Sequence, residues 1–77
     1  MTHVAEAPKG LIRRANEALI LSAAEKVFAR AGFGGATMAA IAEASGLPKA
    51  NLHYSFGSKE VLYRAVLAQI LSDWLVP

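Results

Sequence analysis

Three short breaks rich in glycine divide this chain into segments whose composition favours helix. The breaks are "GFGGAT" (32–37), "GLP" (46–48) and "GS" (57–58). Between them alanine and leucine are abundant, whereas β-branched and aromatic residues are too scattered to indicate a sheet. The 77 residues, 55% of them apolar, are enough for one small domain. The sequence therefore predicts an all-α domain built from short helices.

An apolar stripe with three- and four-residue spacing predicts the first helix. Its members are Leu19, Ile20, Ala23, Ala24, Val27, Phe28 and Ala31. Gly32 follows the last member, at the position where helices commonly end in a left-handed conformation. Before the stripe, Pro8 and Gly10 interrupt any pattern. We therefore expect residues 1–12 to form a flexible arm and residues 13–75 to form the domain.

The next two segments predict a helix-turn-helix over about residues 37–56. Thr37 is a suitable N-cap for the second helix, and Gly46 supplies the turn conformation that ends it. Pro48 fits the first turn of a third helix over about 48–54, because its missing N–H would be unpaired there. The residues expected to face inward are Ile41, Leu47, Leu52 and Phe56, and the small Ala42 allows the two helices to cross closely. In such motifs the second helix enters the DNA major groove.

The fourth predicted helix carries more apolar residues than three short helices can bury. Ser58 can cap it, and its pattern continues from Lys59 to about Leu75. Its apolar residues are Leu62, Val66 and Ile70 on one face, with Val61, Tyr63, Leu67, Leu71, Trp74 and Leu75 spread around the rest. A helix that is apolar nearly all round is normally buried on several sides. We expect self-association through this helix or a larger C-terminal part, although single exposed apolar residues are also common.

The outward face of the third predicted helix carries groups suited to DNA. Lysine can reach a guanine edge or a phosphate, asparagine can pair with adenine, and a methyl group can meet that of thymine. The net charge of +2 permits an anionic partner without naming one. The outward residues are Lys49, Ala50, Asn51, His53 and Tyr54. From spacing alone, a solvated helix of a small bundle remains an alternative.

Catalysis and metal binding find little support in the sequence. The absence of cysteine excludes disulfides and cysteine zinc sites. The two histidines, His3 and His53, are too distant and too few to suggest a metal site. His53 and Ser55 point apart on a helix and cannot form a nucleophile–base pair. We expect no enzymatic activity, no catalytic residue, no metal and no cofactor.

We expect a cytoplasmic protein, which the absence of cysteine fits, without a membrane partner. The opening "MTHVAEAPKG" lacks the apolar core of a signal peptide. The apolar C-terminal segment is interrupted by Arg64, Gln69 and Asp73, which disfavours a membrane span.

Over residues 13–75 the chain resembles the N-terminal DNA-binding domain of TetR-family transcriptional repressors. The resemblance is carried by "ILSAAEKVFARAGF" (20–33), "ATMAAIAEASGLPKANLHYSF" (36–56) and "SKEVLYRAVL" (58–67). The matching positions are Gly32–Phe33, Thr37, Ile41–Ala42, Ala44 to Gly46, Leu52 to Phe56 and Ser58 to Leu62. The ending "LYRAVLAQILSDWLVP" also resembles the pyrimidine-responsive RutR-like subgroup.

The resemblance implies a homeodomain-like head of three helices, followed by the start of a long fourth helix. It implies a homodimer that binds double-stranded DNA at a pseudo-palindromic operator. A small-molecule effector would bind in a C-terminal domain that is absent from this chain, and its binding would release the DNA. A helical protein-interaction module that docks through the fourth helix, with no DNA role, is the alternative.

The resemblance also implies DNA contacts at both ends of the motif. Thr37 caps the second helix and is expected to touch a phosphate as well. Lys59 lies in the first turn of the fourth helix, where a cation opposes the helix dipole unless an anion compensates it. A phosphate held by the helix amides and the lysine ammonium would supply that anion.

One position departs from the family pattern. His53 stands where the family most often has a tyrosine that contacts a phosphate, and Tyr54 follows it. Either residue can take that contact, although a histidine has a different reach and a charge that depends on pH. Arg13 and Arg14 can add backbone or minor-groove contacts from the arm.

Overall fold

The computed structural model describes residues 7–75, with side chains from residue 10 onward. Every regular element in that range is a helix: α1 (Ala7–Gly35), α2 (Met38–Ser45), α3 (Lys49–Phe56) and α4 (Lys59–Leu75). The all-α fold predicted from the sequence is therefore confirmed. The described part of α4 extends to Leu75, the last described residue.

Helix α1 begins at Ala7, so residues 7–12 are helical where the sequence predicts part of a flexible arm. Pro8 is tolerated because the first N–H groups of a helix have no intrahelical partner. Gly10 costs about 1 kcal/mol relative to alanine, but propagation of an existing helix compensates for one such residue. The rest of the predicted arm, residues 1–6, lies outside the described range.

Gly32 interrupts α1 near its end. Its φ of 76° and ψ of 171° are not helical, and a short turn follows it to Gly35. The N–H of Ala36 donates to the carbonyl of Gly32 at 3.1 Å, which closes this turn. Gly32 has the positive φ of the predicted left-handed cap, but its ψ lies outside the left-handed helical region, and the residue redirects the chain toward α2.

The helix-turn-helix is capped as the sequence predicts. Thr37 Oγ1 accepts a hydrogen bond from the Ala40 N–H at 3.0 Å. Gly46 adopts the left-handed conformation, with φ 78° and ψ 10°, and its N–H donates to the Ala42 carbonyl. Pro48 is the N-cap of α3 and lies just outside the helix, because its ψ of 148° is extended. Helix α3 continues to Phe56, past the predicted end at residue 54, and Gly57 ends it with a φ of 81°.

The core lies where α1 meets α2, α3 and α4. Its largest fully buried side chains are one from each helix: Ile20, Ile41, Leu52 and Leu62. Complete burial of one such side chain contributes about 1.5–3 kcal/mol. An aromatic cluster closes one side, where the Tyr63 ring lies 4.9 Å from that of Phe28 and 5.0 Å from that of Phe33, edge to face.

The second half of α4 extends beyond this core. Leu62 and Val66 are buried, whereas Leu71, Trp74 and Leu75 are 60%, 82% and 77% exposed. The predicted excess of apolar residues on this helix is therefore confirmed. Among residues 7–75 there is no helix with the length and apolar character needed to cross a bilayer.

Candidate nucleic-acid interface

Helix α3 presents one polar face to solvent. Leu52 is fully buried and Phe56 packs half-buried against the core, as predicted for the inward side. Lys49 and His53 are four residues apart, as are Ala50 and Tyr54, so both pairs lie on one side of the helix. These four outward residues are exposed, and Asn51 is half-buried beside them. The structure therefore brings together the five residues predicted on this helix.

Thr37 lies at the N-terminus of α2, exposed to solvent. Its hydroxyl oxygen is occupied by the Ala40 N–H, but its O–H hydrogen can still be donated. A capped helix N-terminus with a free hydroxyl hydrogen suits an anion such as a phosphate.

Tyr54 is joined to α1 by Arg13. The Arg13 guanidinium donates from Nη2 to the Tyr54 hydroxyl at 3.2 Å, and its Cζ lies 5.8 Å from the ring centre. Glu17 and Ser55 complete a shallow concavity around this pair. The Tyr54 side chain is nonetheless 76% exposed, so its hydroxyl remains open to a ligand.

The sequence prediction misses the contact of Arg13 with α3. It places Arg13 at the start of the domain, next to the arm. In the structure Arg13 belongs to α1 and lies beside α3. A signal was available: Arg13, Glu17, Ile20 and Ala24 follow one another at helical spacing. The buried stripe therefore continues backwards into charged residues on the same side of α1.

His53 bonds to the backbone at the end of its own helix. Its Nδ1 lies 3.2 Å from the Gly57 carbonyl oxygen. Because a carbonyl only accepts, Nδ1 carries the hydrogen in this bond. Nε2 of the neutral ring is then an acceptor and becomes a donor only when the imidazole is protonated. A phosphate contact through Nε2 that keeps this bond therefore requires the charged form of His53.

Lys59 is directed toward the turn between α1 and α2. Its Nζ donates to the carbonyls of Phe33 at 2.7 Å and Ala36 at 3.0 Å. The same Nζ lies 4.4 Å from the centre of the Phe33 ring. Beside it, Ser58 caps α4 as predicted, since the Val61 N–H donates to its hydroxyl at 3.2 Å. Lys59 is half-buried, and its ammonium is bonded to two backbone carbonyls.

Within residues 7–75, no three histidine, aspartate or glutamate side chains are grouped so as to hold a metal ion. The chemistry of the site consists of hydrogen-bond donors, two flat rings and cations, mounted on a short exposed helix. These groups match the phosphates and base edges of DNA.

Comparison with known proteins agrees with this geometry. The family model described as "Bacterial regulatory proteins, tetR family" matches residues 20–66. The HTH-type transcriptional regulator RutR of Escherichia coli (strain K12) is 52% identical over 63 residues, and so is that of Shigella flexneri. The match covers 82% of this chain and 30% of each relative, so the chain spans under a third of their length. No solved structure matches the chain significantly.

Proposed function

The chain belongs to the tetR family of bacterial regulatory proteins, and from that membership we propose that it is the DNA-binding head of a transcriptional regulator. The resemblance to this family noted in the sequence is thereby confirmed. The observation that carries the proposal is α3 itself, whose apolar side is anchored by the fully buried Leu52 while its polar side is open. A recognition helix needs this arrangement, because its outward residues must reach the groove from a rigid base.

The proposed contacts divide into base readers and phosphate ligands. Lys49, Ala50 and Asn51 lie at the start of α3, the part of a recognition helix that reaches base edges. His53 and Tyr54 follow one turn later and are proposed as phosphate ligands. Two further proposed residues flank this set: Thr37 at the N-terminus of α2 as a phosphate ligand, and Arg13 as the partner of Tyr54.

Lys59 is left out of the direct contacts, although the sequence predicts it as a phosphate ligand. Two of its three N–H donors are taken by the Phe33 and Ala36 carbonyls. One N–H donor remains, so the bonded carbonyls already satisfy most of the hydrogen-bonding capacity of this ammonium.

We propose further that the complete regulator is a cytoplasmic homodimer that acts as a repressor at a pseudo-palindromic operator. A small molecule bound in a C-terminal part would release it from DNA. The exposed apolar end of α4 supports a neighbour for this helix, and the relatives are more than three times as long as the matched region. No enzymatic role is proposed.

The first test is selection of binding sites from a pool of random DNA duplexes at two salt concentrations. We expect a palindromic motif or one half of such a motif to be enriched. Lys49→Ala should change the base preference at one position or make the slope of log K against log salt less steep by about 0.9. Lys26→Ala, which removes an exposed lysine of α1 outside the interface, is the matched control. Absence of binding at low salt would refute the proposal.

A helical interaction module without a DNA role is the second candidate function. The observation that favours it is the exposed end of α4, where Trp74 is 82% exposed. Under this reading Trp74→Ala abolishes partner binding and Lys49→Ala has no effect. Under the DNA reading Lys49→Ala weakens DNA binding and Trp74→Ala leaves it unchanged.

A further inference from the structure

We propose that Lys59 is a positioning residue that holds the two ends of the helix-turn-helix together, and that it is not a phosphate ligand. The inference rests on the proposed DNA-binding function and concerns how the reading head is kept in shape. It follows from three contacts of one side chain: hydrogen bonds to the Phe33 and Ala36 carbonyls and a position over the Phe33 ring.

The two bonded carbonyls belong to the chain that enters the motif. Ala36 is buried and directly precedes Thr37, the cap of α2. Phe33 lies in the last turn of α1, where carbonyl groups lack intrahelical partners. The ammonium of Lys59 therefore satisfies two backbone acceptors at the point where the chain turns into α2.

Lys59 itself belongs to the chain that leaves the motif. It is the first residue of α4 and follows the last residue of α3, Phe56, after the short break at Gly57 and Ser58. One side chain thus links the entry of α2 to the exit of α3. Because α2 and α3 are eight residues each, their relative placement depends strongly on what fixes their ends.

The electrostatics of the site favour this role. A lysine in the first turn of a helix opposes the helix dipole unless a negative group compensates it. Here the compensation comes from two carbonyl oxygens at 2.7 and 3.0 Å and from the face of the Phe33 ring at 4.4 Å. No external anion is needed to explain why a lysine is found at this position.

Lys59→Met tests the role of the ammonium in DNA binding, because methionine keeps much of the aliphatic stem and removes the charge. We expect DNA affinity to fall about tenfold while the slope of log K against log salt stays unchanged, since no counterion is released at this lysine. Lys49→Met is the matched control. It should either make the slope of log K against log salt less steep by about 0.9 or weaken the preference for one base at one position. The proposal would be overturned if the slope of log K against log salt became less steep by about one in Lys59→Met while the turn between α1 and α2 stayed intact.

The free chain supplies a second readout that needs no DNA. In NMR spectra of the wild type, the ε-methylene protons of Lys59 should be shifted upfield by the Phe33 ring, and those of Lys49 should not. In Lys59→Met the amide of Ala36, which bonds to Gly32, should exchange with solvent faster. An unshifted Lys59 together with unchanged exchange would overturn the proposal. If the wild type does not bind DNA, the proposed function fails. These spectra still decide whether Lys59 contacts Phe33 and Ala36 in solution.

Discussion

The guanidinium of Arg13 donates a hydrogen bond of 3.2 Å to the hydroxyl of Tyr54, across a sequence separation of 41 residues. The contact joins α1 to the outward face of α3. The guanidinium also lies over the tyrosine ring, with Cζ 5.8 Å from its centre, although the ring is largely exposed. It also leaves several guanidinium N–H groups free beside the hydroxyl, so a phosphate that meets Tyr54 also meets a cation.

This pair predicts an energetic coupling that appears in DNA binding. We expect Arg13→Gln and Tyr54→Phe each to weaken binding, and the double variant to lose less than the sum of the two losses. The physical reason is that the two side chains are expected to bind the same phosphate together, so each single variant already loses this joint contact. A double-mutant cycle on DNA affinity measures the coupling, with thermal unfolding as the check on stability, which should change little for two exposed residues. Strictly additive losses would show that the two side chains act independently.

His53 and Tyr54 differ in the donors that they offer to a phosphate. The Nδ1–H of His53 is directed to the Gly57 carbonyl, whereas the Tyr54 side chain is 76% exposed and its hydroxyl can donate. We therefore expect Tyr54→Phe to weaken DNA binding more than His53→Gln does. DNA affinities of the two variants under the same conditions measure the difference, and a larger loss in His53→Gln would assign the phosphate contact to His53.

The positive φ of Gly46 predicts that replacing it with alanine destabilises the protein more than the same change at Gly34, although both glycines have open space around them. A Cβ added at Gly46 or at Gly34 meets no atom within 4 Å, but only Gly46 has a positive φ, of 78°. Gly46→Ala should therefore cost about 1–2 kcal/mol of unfolding free energy. Gly34→Ala should be neutral or stabilising by up to about 1 kcal/mol. Urea unfolding followed by circular dichroism compares the two, and equal midpoints would contradict the conformational argument.

The complete burial of Leu52 predicts that α3 depends mainly on this side chain for its packing on the core. Leu52 is fully buried, whereas Leu71 on α4 is 60% exposed. Leu52→Ala should cost about 2–5 kcal/mol, a large share of what a small domain possesses, and should abolish DNA binding through loss of α3 packing. Leu71→Ala makes the same chemical change and should alter stability by less than about 1 kcal/mol. The same urea titrations measure both variants. A similar loss of unfolding free energy in Leu52→Ala and Leu71→Ala would argue against the packing of α3 on the core through Leu52.

Local signals in the sequence were sufficient for most of the architecture. The glycines predicted at breaks, Gly32, Gly46 and Gly57, all adopt positive φ, because glycine alone enters that region at little cost. Thr37 and Ser58 cap the helices that follow them, because a hydroxyl reaches an amide three residues ahead. The helical period of the apolar residues likewise placed Leu52 inside and Lys49 outside.

Contacts between distant residues were decided only by the tertiary structure. The position of Lys59 depends on carbonyls 23 and 26 residues away, and that of Arg13 on a hydroxyl 41 residues away. The charge pattern leaves Lys59 equally suited to a phosphate or to carbonyl groups, and only the packing of α4 against the α1–α2 turn selects the carbonyls. The sequence alone determined α2, α3 and α4 and most of the inward residues, because these depend on neighbours within one turn, whereas α1 begins earlier than predicted and Leu19 of its apolar stripe is 50% exposed. The tertiary structure decided which cations are open to solvent and which are bonded to the protein, because that depends on how the helices meet.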